Sequence, residues 1–364
     1  MLSKKRQTTG ISELNFLKIK KYFIAAAVFL CCMTAFADEV KNIIFPVPFY
    51  TPETSAGIVL NDILLFKKNK QSSYSHINTF IMYTAKQQVV AGIMPSLYFD
   101  GDVYLFESKL IYSNFKRKFY GIGNGTVESS EEEYIKRSHG AAVCLSKKII
   151  ENVRFGFQYD FSDTTMQDLD KNGQLQFYDN DGILSGAGFK LSFDKRNDNM
   201  YPVKGYKLDL GYLLYNHNIG SKFDCSLIDV DFRNYIELNS GKILFSYQLY
   251  AGFINGNAPV QSLLSLGGQK FLRGFYSGRY IDKVAAAVQP EFKFRMTDSL
   301  DFVVFTGIGN VYRNLESVYI SKLKIASGAG IRIKMKSNPR MNFRIDYALS
   351  NESKEFYFTL LEAF

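Results

Sequence analysis

Several clusters in the chain have the residue types and spacing to do chemistry. Asp168, Asp170, Asn172 and Asp179, with Gly173 among them, match most ligand positions of an EF-hand loop, in which side-chain oxygens converge on calcium. Asp179 stands where a bidentate Glu is expected and the flanking helices are missing, so a plain polar turn explains the same residues. The acidic run at 128–133 offers divalent-cation bridging or an ordinary solvated loop. His76, His139 and His217 lack ligand spacing, and Ser138-His139 has no acid placed in the sequence to orient the imidazole. Gly121-Ile122-Gly123 and Gly307-Ile308-Gly309 open no helix, so neither is a phosphate loop. These residues point to no enzyme and no cofactor. Arg273-Gly274-Phe275 is different in kind. Its glycine permits a tight turn, and its guanidinium, once away from bulk water, demands charged hydrogen-bonding partners.

The elements that position these residues follow from composition. The chain has 364 residues, 46% hydrophobic, 22% charged and 15% aromatic, with four cysteines and no Trp. That excludes a disordered chain and a disulfide-dense scaffold. The net charge of +9 is concentrated at the start, and Asp38 onward nets only +4. So mild a balance argues against nucleic acid, whose recognition needs a dense basic face. Residues 18–37 read as a secretory signal within a 1–37 leader: Lys18, Lys20 and Lys21, an apolar stretch, then Ala35-Phe36-Ala37. The apolar part is about a dozen residues, too short for a bilayer, which needs roughly 20. Cys144 and Cys225 are then the cysteines of the mature chain, both expected free.

Period two dominates 38–364. Val153, Phe155, Phe157, Tyr159 and Phe161 alternate with Arg154, Gly156, Gln158 and Asp160, and similar segments recur to the end. Each is a strand with one oily and one polar side. A soluble sandwich would also alternate, with its apolar face in a core. Aromatic-rich oily faces, mixed charges with Gly opposite, and an aromatic C-terminal residue favour a membrane barrel instead. The strands expected are 42–51, 55–67, 73–86, 88–99, 103–115, 137–148, 152–163, 182–195, 204–216, 223–238, 241–254, 284–296, 300–313, 322–336, 341–350 and 354–364. Sixteen is even, which puts both ends on the periplasmic side, with short turns there and the long connections 116–136, 164–181 and 255–283 outside. The reading is all-β: a sixteen-stranded antiparallel transmembrane β-barrel. Pro46 and Pro48 weaken the first strand, which would close poorly onto the last.

Three stretches resemble the BamA/TamA-like family of bacterial surface-antigen barrels. Leu266-Gly267-Gly268-Gln269-Lys270-Phe271-Leu272-Arg273-Gly274-Phe275, with Glu291-Phe292-Lys293-Phe294 beyond it, is similar to the family's Arg-Gly-aromatic loop and the strand that follows. Asp194-Lys195-Arg196 with Pro202 and Gly205 resembles its mid-barrel turn. Phe356, Phe358, Leu360 and Phe364, on one face of the final strand, resemble its assembly signal. The resemblance implies that the long outer loop folds into the lumen and that Arg273 pairs there with Glu291 on the twelfth strand. It also implies a second carboxylate at position 307, where this chain has Gly307, so either the lock is weaker or Asp301 substitutes. The family's periplasmic repeats are not expected here, only about four residues separating Ala37 from the first strand. By resemblance the protein is exported to the bacterial outer membrane and assists protein insertion or translocation there. The partners implied are outer-membrane lipid, unfolded outer-membrane or exported clients, and a periplasmic partner. The rival reading is a passive channel, surface antigen or membrane anchor.

Overall fold

The computed structural model describes residues 38–51, 55–67, 72–168, 173–178, 181–335, 341–360 and 362–364. The leader at 1–37, and Asp170, Asn172 and Asp179 of the calcium-like loop, lie outside the described residues.

The chain climbs through β1 (Glu39–Thr51), β2 (Ser55–Lys67), β3 (Ser75–Thr84), β4 (Val89–Phe99), β5 (Tyr104–Phe119) and β6 (Glu132–Ile150). It continues through β7 (Val153–Asp168), β8 (Gly182–Asp194), β9 (Gly205–Tyr215), β10 (Cys225–Leu238) and β11 (Ile243–Gly256). A short ribbon, β12 (Leu264–Leu266) with β13 (Tyr280–Asp282), lies within the longest connection. Then come β14 (Val284–Arg295), β15 (Leu300–Tyr312), β16 (Lys324–Met335), β17 (Met341–Ser350) and β18 (Lys354–Leu360). Apart from the ribbon, the strands form one sixteen-stranded antiparallel sheet in sequence order, curled into a nearly closed barrel. Its helical elements among the described residues are single 3-10 turns.

Alternation decides the two faces. On β7, Phe155, Phe157 and Tyr159 are exposed, Phe157 by 65%, and Phe155 and Phe157 cluster with Phe189 of the neighbouring strand. Ile44, Ile81, Ile228 and Phe356 continue this exposed apolar face around the sheet. So much contiguous apolar surface would be costly in water and suits hydrocarbon. The opposite, sheltered face carries the charges: Glu107 and Lys190 meet at 3.0 Å, Lys207 and Asp209 at 3.0 Å, and Arg233 and Asp231 at 2.5 Å.

All sixteen expected strands are present, with three differences of extent. Strands β5, β6 and β7 run further outward than hydrophobic alternation signalled, because ion pairs continue the ladder once the apolar pattern stops. Lys116 meets Glu133 at 2.5 Å and Lys118 meets Glu131 at 2.9 Å. The loop after β11, expected to be featureless, contains the β12–β13 ribbon. The last strand ends at Leu360 rather than 364. Glu362 reaches Lys293, and Asn342 Nδ2 donates to its Oε1 at 2.7 Å. The carbonyl of Phe364 accepts from the Tyr235 hydroxyl, with the two rings 6.5 Å apart. Phe356 stays on the exposed face, 4.6 Å from Phe358, whereas Phe364 is drawn to β10 on the sheltered side. A buried ammonium on β14 competes for the carboxylate of the tail, and the ladder gives way.

Lys293 is 4% exposed, so it depends on that carboxylate. Replacing Glu362 with Ala leaves a buried cation unpaired and is expected to cost about 3–5 kcal/mol. The temperature at which the compact, SDS-resistant form is lost should fall. An unchanged temperature would show that the tail does not hold this charge.

Candidate functional site: the arginine of the long loop

Residues 257–283 build the site from backbone upward. Antiparallel pairing of Leu264 with Asp282 and Leu266 with Tyr280 closes the base of the loop. Gly267 and Phe271 form an isolated bridge, and the Gly268 N–H donates to the Phe275 carbonyl at 2.8 Å. Gly274 has φ +112, and a Cβ there would lie 2.7 Å from the Ala326 Cβ. Glycine is therefore required both by the backbone and by the closeness of β16. Leu266, Leu272, Phe275 and Tyr280 are all fully buried, against small residues of the sheltered face such as Ala285, Ala287 and Ala326. At about 1.5–3 kcal/mol per large apolar side chain, this packing holds the loop against the wall before any charge is counted.

Arg273 sits at the tip, 1% exposed. Its Nη1 donates to Asp346 Oδ2 at 2.7 Å, and its Nη2 lies 2.9 Å from Glu291 Oε2. Its guanidinium carbon is 3.6 Å from the centre of the Phe305 ring, and its backbone N–H donates to Gln289 Oε1 at 3.2 Å. Arg332 serves the same two anions, at 2.5 Å from Asp346 Oδ1 and 3.1 Å from Glu291 Oε2. Arg344 approaches Asp346 at 3.4 Å. Two carboxylates thus hold two guanidiniums in an alternating square nearly out of contact with water, with Arg344 a third guanidinium beside Asp346. Planar, always-charged forks suit such a square; a lysine could not bridge and stack at once.

The structure brings Arg273 to Glu291. It does not bring Asp301 there: that carboxylate goes to Lys334 at 2.6 Å. Asp346 supplies the second anion, from two strands further on. Gly307 has a steric reason, since a Cβ there would meet Leu272 Cδ1 at 3.0 Å. The side chain that an Asp would need is replaced by a leucine of the loop. Arg332, Arg344 and Asp346 share the sheltered parity of their strands, and that parity was the available signal for them.

The same loop grips the last hairpin. The Gly274 N–H donates to the Tyr357 hydroxyl at 3.0 Å, and Ser353 Oγ donates to the Gly274 carbonyl at 2.7 Å. The Tyr280 hydroxyl donates to Glu352. Burial first, and then that hydrogen bond, push the phenol well above its usual range and keep it a donor. Arg279, 3% exposed, meets Glu352 at 2.6 Å and donates to Thr126 Oγ1 at 2.8 Å. It ties three outer connections together, and no motif marked it.

The other candidates separate. In the acidic run, Glu131 binds Lys118 and Tyr120, while Glu132 accepts from the N–H groups of Gln174 and Leu175 at 2.6 and 3.0 Å. With Glu133 on Lys116, each is committed to a protein partner. His139 does have an acid, Asp163 at 3.4 Å, supplied by strand pairing rather than sequence proximity. Ser138 projects from the opposite face of β6, so no hydroxyl–imidazole–acid line forms. Cys144 and Cys225 are free and buried. Of the calcium-like loop, Asp168 closes β7, and the oxygen donors beyond it lie outside the described residues.

The Omp85 superfamily domain matches residues 90–364. The chain belongs to that superfamily. No curated protein sequence matches it. Among solved structures it is similar to BamA from Haemophilus ducreyi lacking POTRA domains 1-3, with a TM-score of 0.59 and 12% identity over 93% of this chain and 77% of that one. It is also similar to CdiB from Escherichia coli (TM-score 0.59, 11% identity, 88% of this chain and 62% of that one). CdiB from Acinetobacter baumannii gives a TM-score of 0.53 and 13% identity, over 89% and 59% of the two chains. At these identities the likeness is one of fold. Superfamily membership makes this an outer-membrane barrel.

Arg273→Ala withdraws one of the two cations that bridge Glu291 and Asp346, and should cost about 3–5 kcal/mol. The urea midpoint in detergent micelles reads it. Arg273→Lys should recover less than half of the loss. A double-mutant cycle with Asp346→Ala should give a coupling of about 1–3 kcal/mol; simple additivity would mean that the pair is energetically independent.

Proposed function

We propose that this protein assists the insertion or translocation of proteins at the bacterial outer membrane, with loop 257–283 as a lumen plug locked by Arg273. One observation carries the reading. The strand order runs from β1 to β18, and among the described residues no ladder joins those two ends. β18 is held by β17 on one side and otherwise by the loop, through Tyr357 and the turn that precedes the strand. A strand secured by side chains rather than by a second ladder is the weakest element of the wall. A client polypeptide in transit would find at that seam strand edges that no ladder among the described residues occupies. The plug keeps the barrel from leaking while the seam works. Unfolded outer-membrane or exported proteins are the clients this implies, delivered with or without a periplasmic partner.

A disulfide engineered across the seam, between β1 and β18, should abolish assembly of outer-membrane clients in cells depleted of the wild-type protein, and reductant should restore it. Assembly that continues with the seam closed would sink the reading.

A passive channel is the second reading. It is favoured by a cavity of about 700 Å3 at the short-turn end, lined by charged side chains including Lys67, Glu107, Arg154, Lys190 and Asp194. Planar-bilayer recordings separate the two. The plugged barrel is expected to be nearly silent as wild type and to open in Arg273→Ala, whereas steady wild-type conductance would favour the channel.

A further inference from the structure

The sheltered face of the barrel is not uniform. On β14–β17 it presents Glu291, Lys293, Arg332, Arg344 and Asp346. On β1 and β2, beyond Glu39, Lys41 and Lys67 at the short-turn end, it presents mostly hydrocarbon. The residues of β1 alternate between exposed even positions, among them Val40 and Ile44, and more sheltered odd ones, Ile43, Phe45, Val47 and Phe49. β2 repeats this with Ile58 and Leu60 exposed and Val59, Ile63 and Leu65 opposite. Polar groups interrupt both faces, with Asn42 and Asp62 on the exposed one and Asn61, opposite Phe45, on the sheltered one, and Glu39, Lys41 and Lys67 gather at the short-turn end. The sheltered stretch of Ile43, Phe45, Val47, Phe49 and Val59 is nonetheless mostly apolar, which is anomalous for the wall of an aqueous lumen. Tyr74, Met200 and Met335 pack on Ile63 and Leu65 at the short-turn end. Ile43 and Phe45 join that cluster, while Phe49 and Val59, further outward along the hairpin, remain half-buried.

What meets them is decided by the free edge of β1. Pro46 and Pro48 are two residues apart, so their nitrogens address the same edge. The ladder to β2 runs in unbroken register through both of them, with Pro46 opposite Leu60 and Pro48 opposite Ile58. The edge without donors is thus the free one, facing β18. A client strand cannot complete a ladder along it. Hydrocarbon can lie there, because fewer orphan N–H groups are left unsatisfied in lipid. The exposed apolar face of the hairpin continues around this edge onto the sheltered one.

We infer that the sheltered face of β1–β2 binds an acyl chain of a bilayer phospholipid, which enters through the seam between β1 and β18. The inference shares the open seam with the proposed function, but needs no client. Lipid then occupies the β1 side, and any client strand is left the proline-free edge of β18.

The chain contains no Trp, so single reporters are unambiguous. Phe45→Trp and Phe49→Trp place them on the sheltered face, Ile44→Trp on the exposed face, and Tyr98→Trp in the charged cavity. Each variant is reconstituted in phosphatidylcholine vesicles with brominated acyl chains, after its compact form is confirmed by electrophoretic mobility. Bromolipid should quench positions 45 and 49 at least twofold, as at 44, while position 98 responds to aqueous iodide instead. Closing the seam with a disulfide should relieve quenching at 45 and 49 and leave it at 44. Reporters at 45 and 49 that respond to iodide, or to neither quencher, would overturn the inference, as would quenching that persists with the seam closed. Loss of client assembly without a change in fluorescence would count against the proposed function alone.

Discussion

A guanidinium removed from water is tolerated only where anions already wait for it. Glu291 and Asp346 wait on β14 and β17, and Arg332 stands between them to keep two carboxylates from repelling each other. With Arg273 absent, both carboxylates would lose a close charged partner in so dry a place, leaving Arg332 to bridge them alone and Arg344 at the side of Asp346. The tip of the long loop is thus the fourth corner of a charge arrangement that the barrel wall leaves incomplete. Apolar packing of Leu272 and Phe275 gives the loop its affinity for the wall. The ion square gives it its register, since a displacement of one residue would bury unpaired charge.

From that corner the connections run to the seam. The residue after Arg273 receives Tyr357 and Ser353, and the ribbon that closes the loop carries Tyr280, which reaches Glu352. Among the described residues the C-terminal hairpin has no second ladder and is braced from within the sheltered side instead. On the opposite bank of the seam, two prolines strip donors from the edge of β1. The two banks are therefore not equivalent. One is a braced strand without prolines, and the other a largely apolar hairpin with a blunted edge.

Much of this was legible in the order of residues. Strand number, polarity and turn placement followed from alternation, because a lipid-facing strand must be oily at every second position whatever its neighbours are. The Arg-Gly-Phe loop and Glu291 could be read as a local pattern with a familiar spacing. The ends of β5, β6 and β7 could not, since outside the membrane the ladder persists on ion pairs such as Lys116 with Glu133, which leave no hydrophobic period. The final strand misled for the opposite reason. Its aromatic alternation runs on to Phe364, while Glu362 is drawn away by Lys293 on a strand 69 residues earlier.

Strand number and the two-faced character of a sixteen-stranded outer-membrane barrel could be read from the order of residues alone, because periodicity is a local property. Only the tertiary structure decided which anions complete the arginine's site. Curling the sheet brings β17 within reach of a loop that leaves from β11, and so Asp346 rather than Asp301 takes the second place. The same closure set His139 beside Asp163 with its serine on the wrong face, and among the described residues left β1 and β18 without a shared ladder. Pairing between distant strands is a matter of register, and register is fixed by every strand in between.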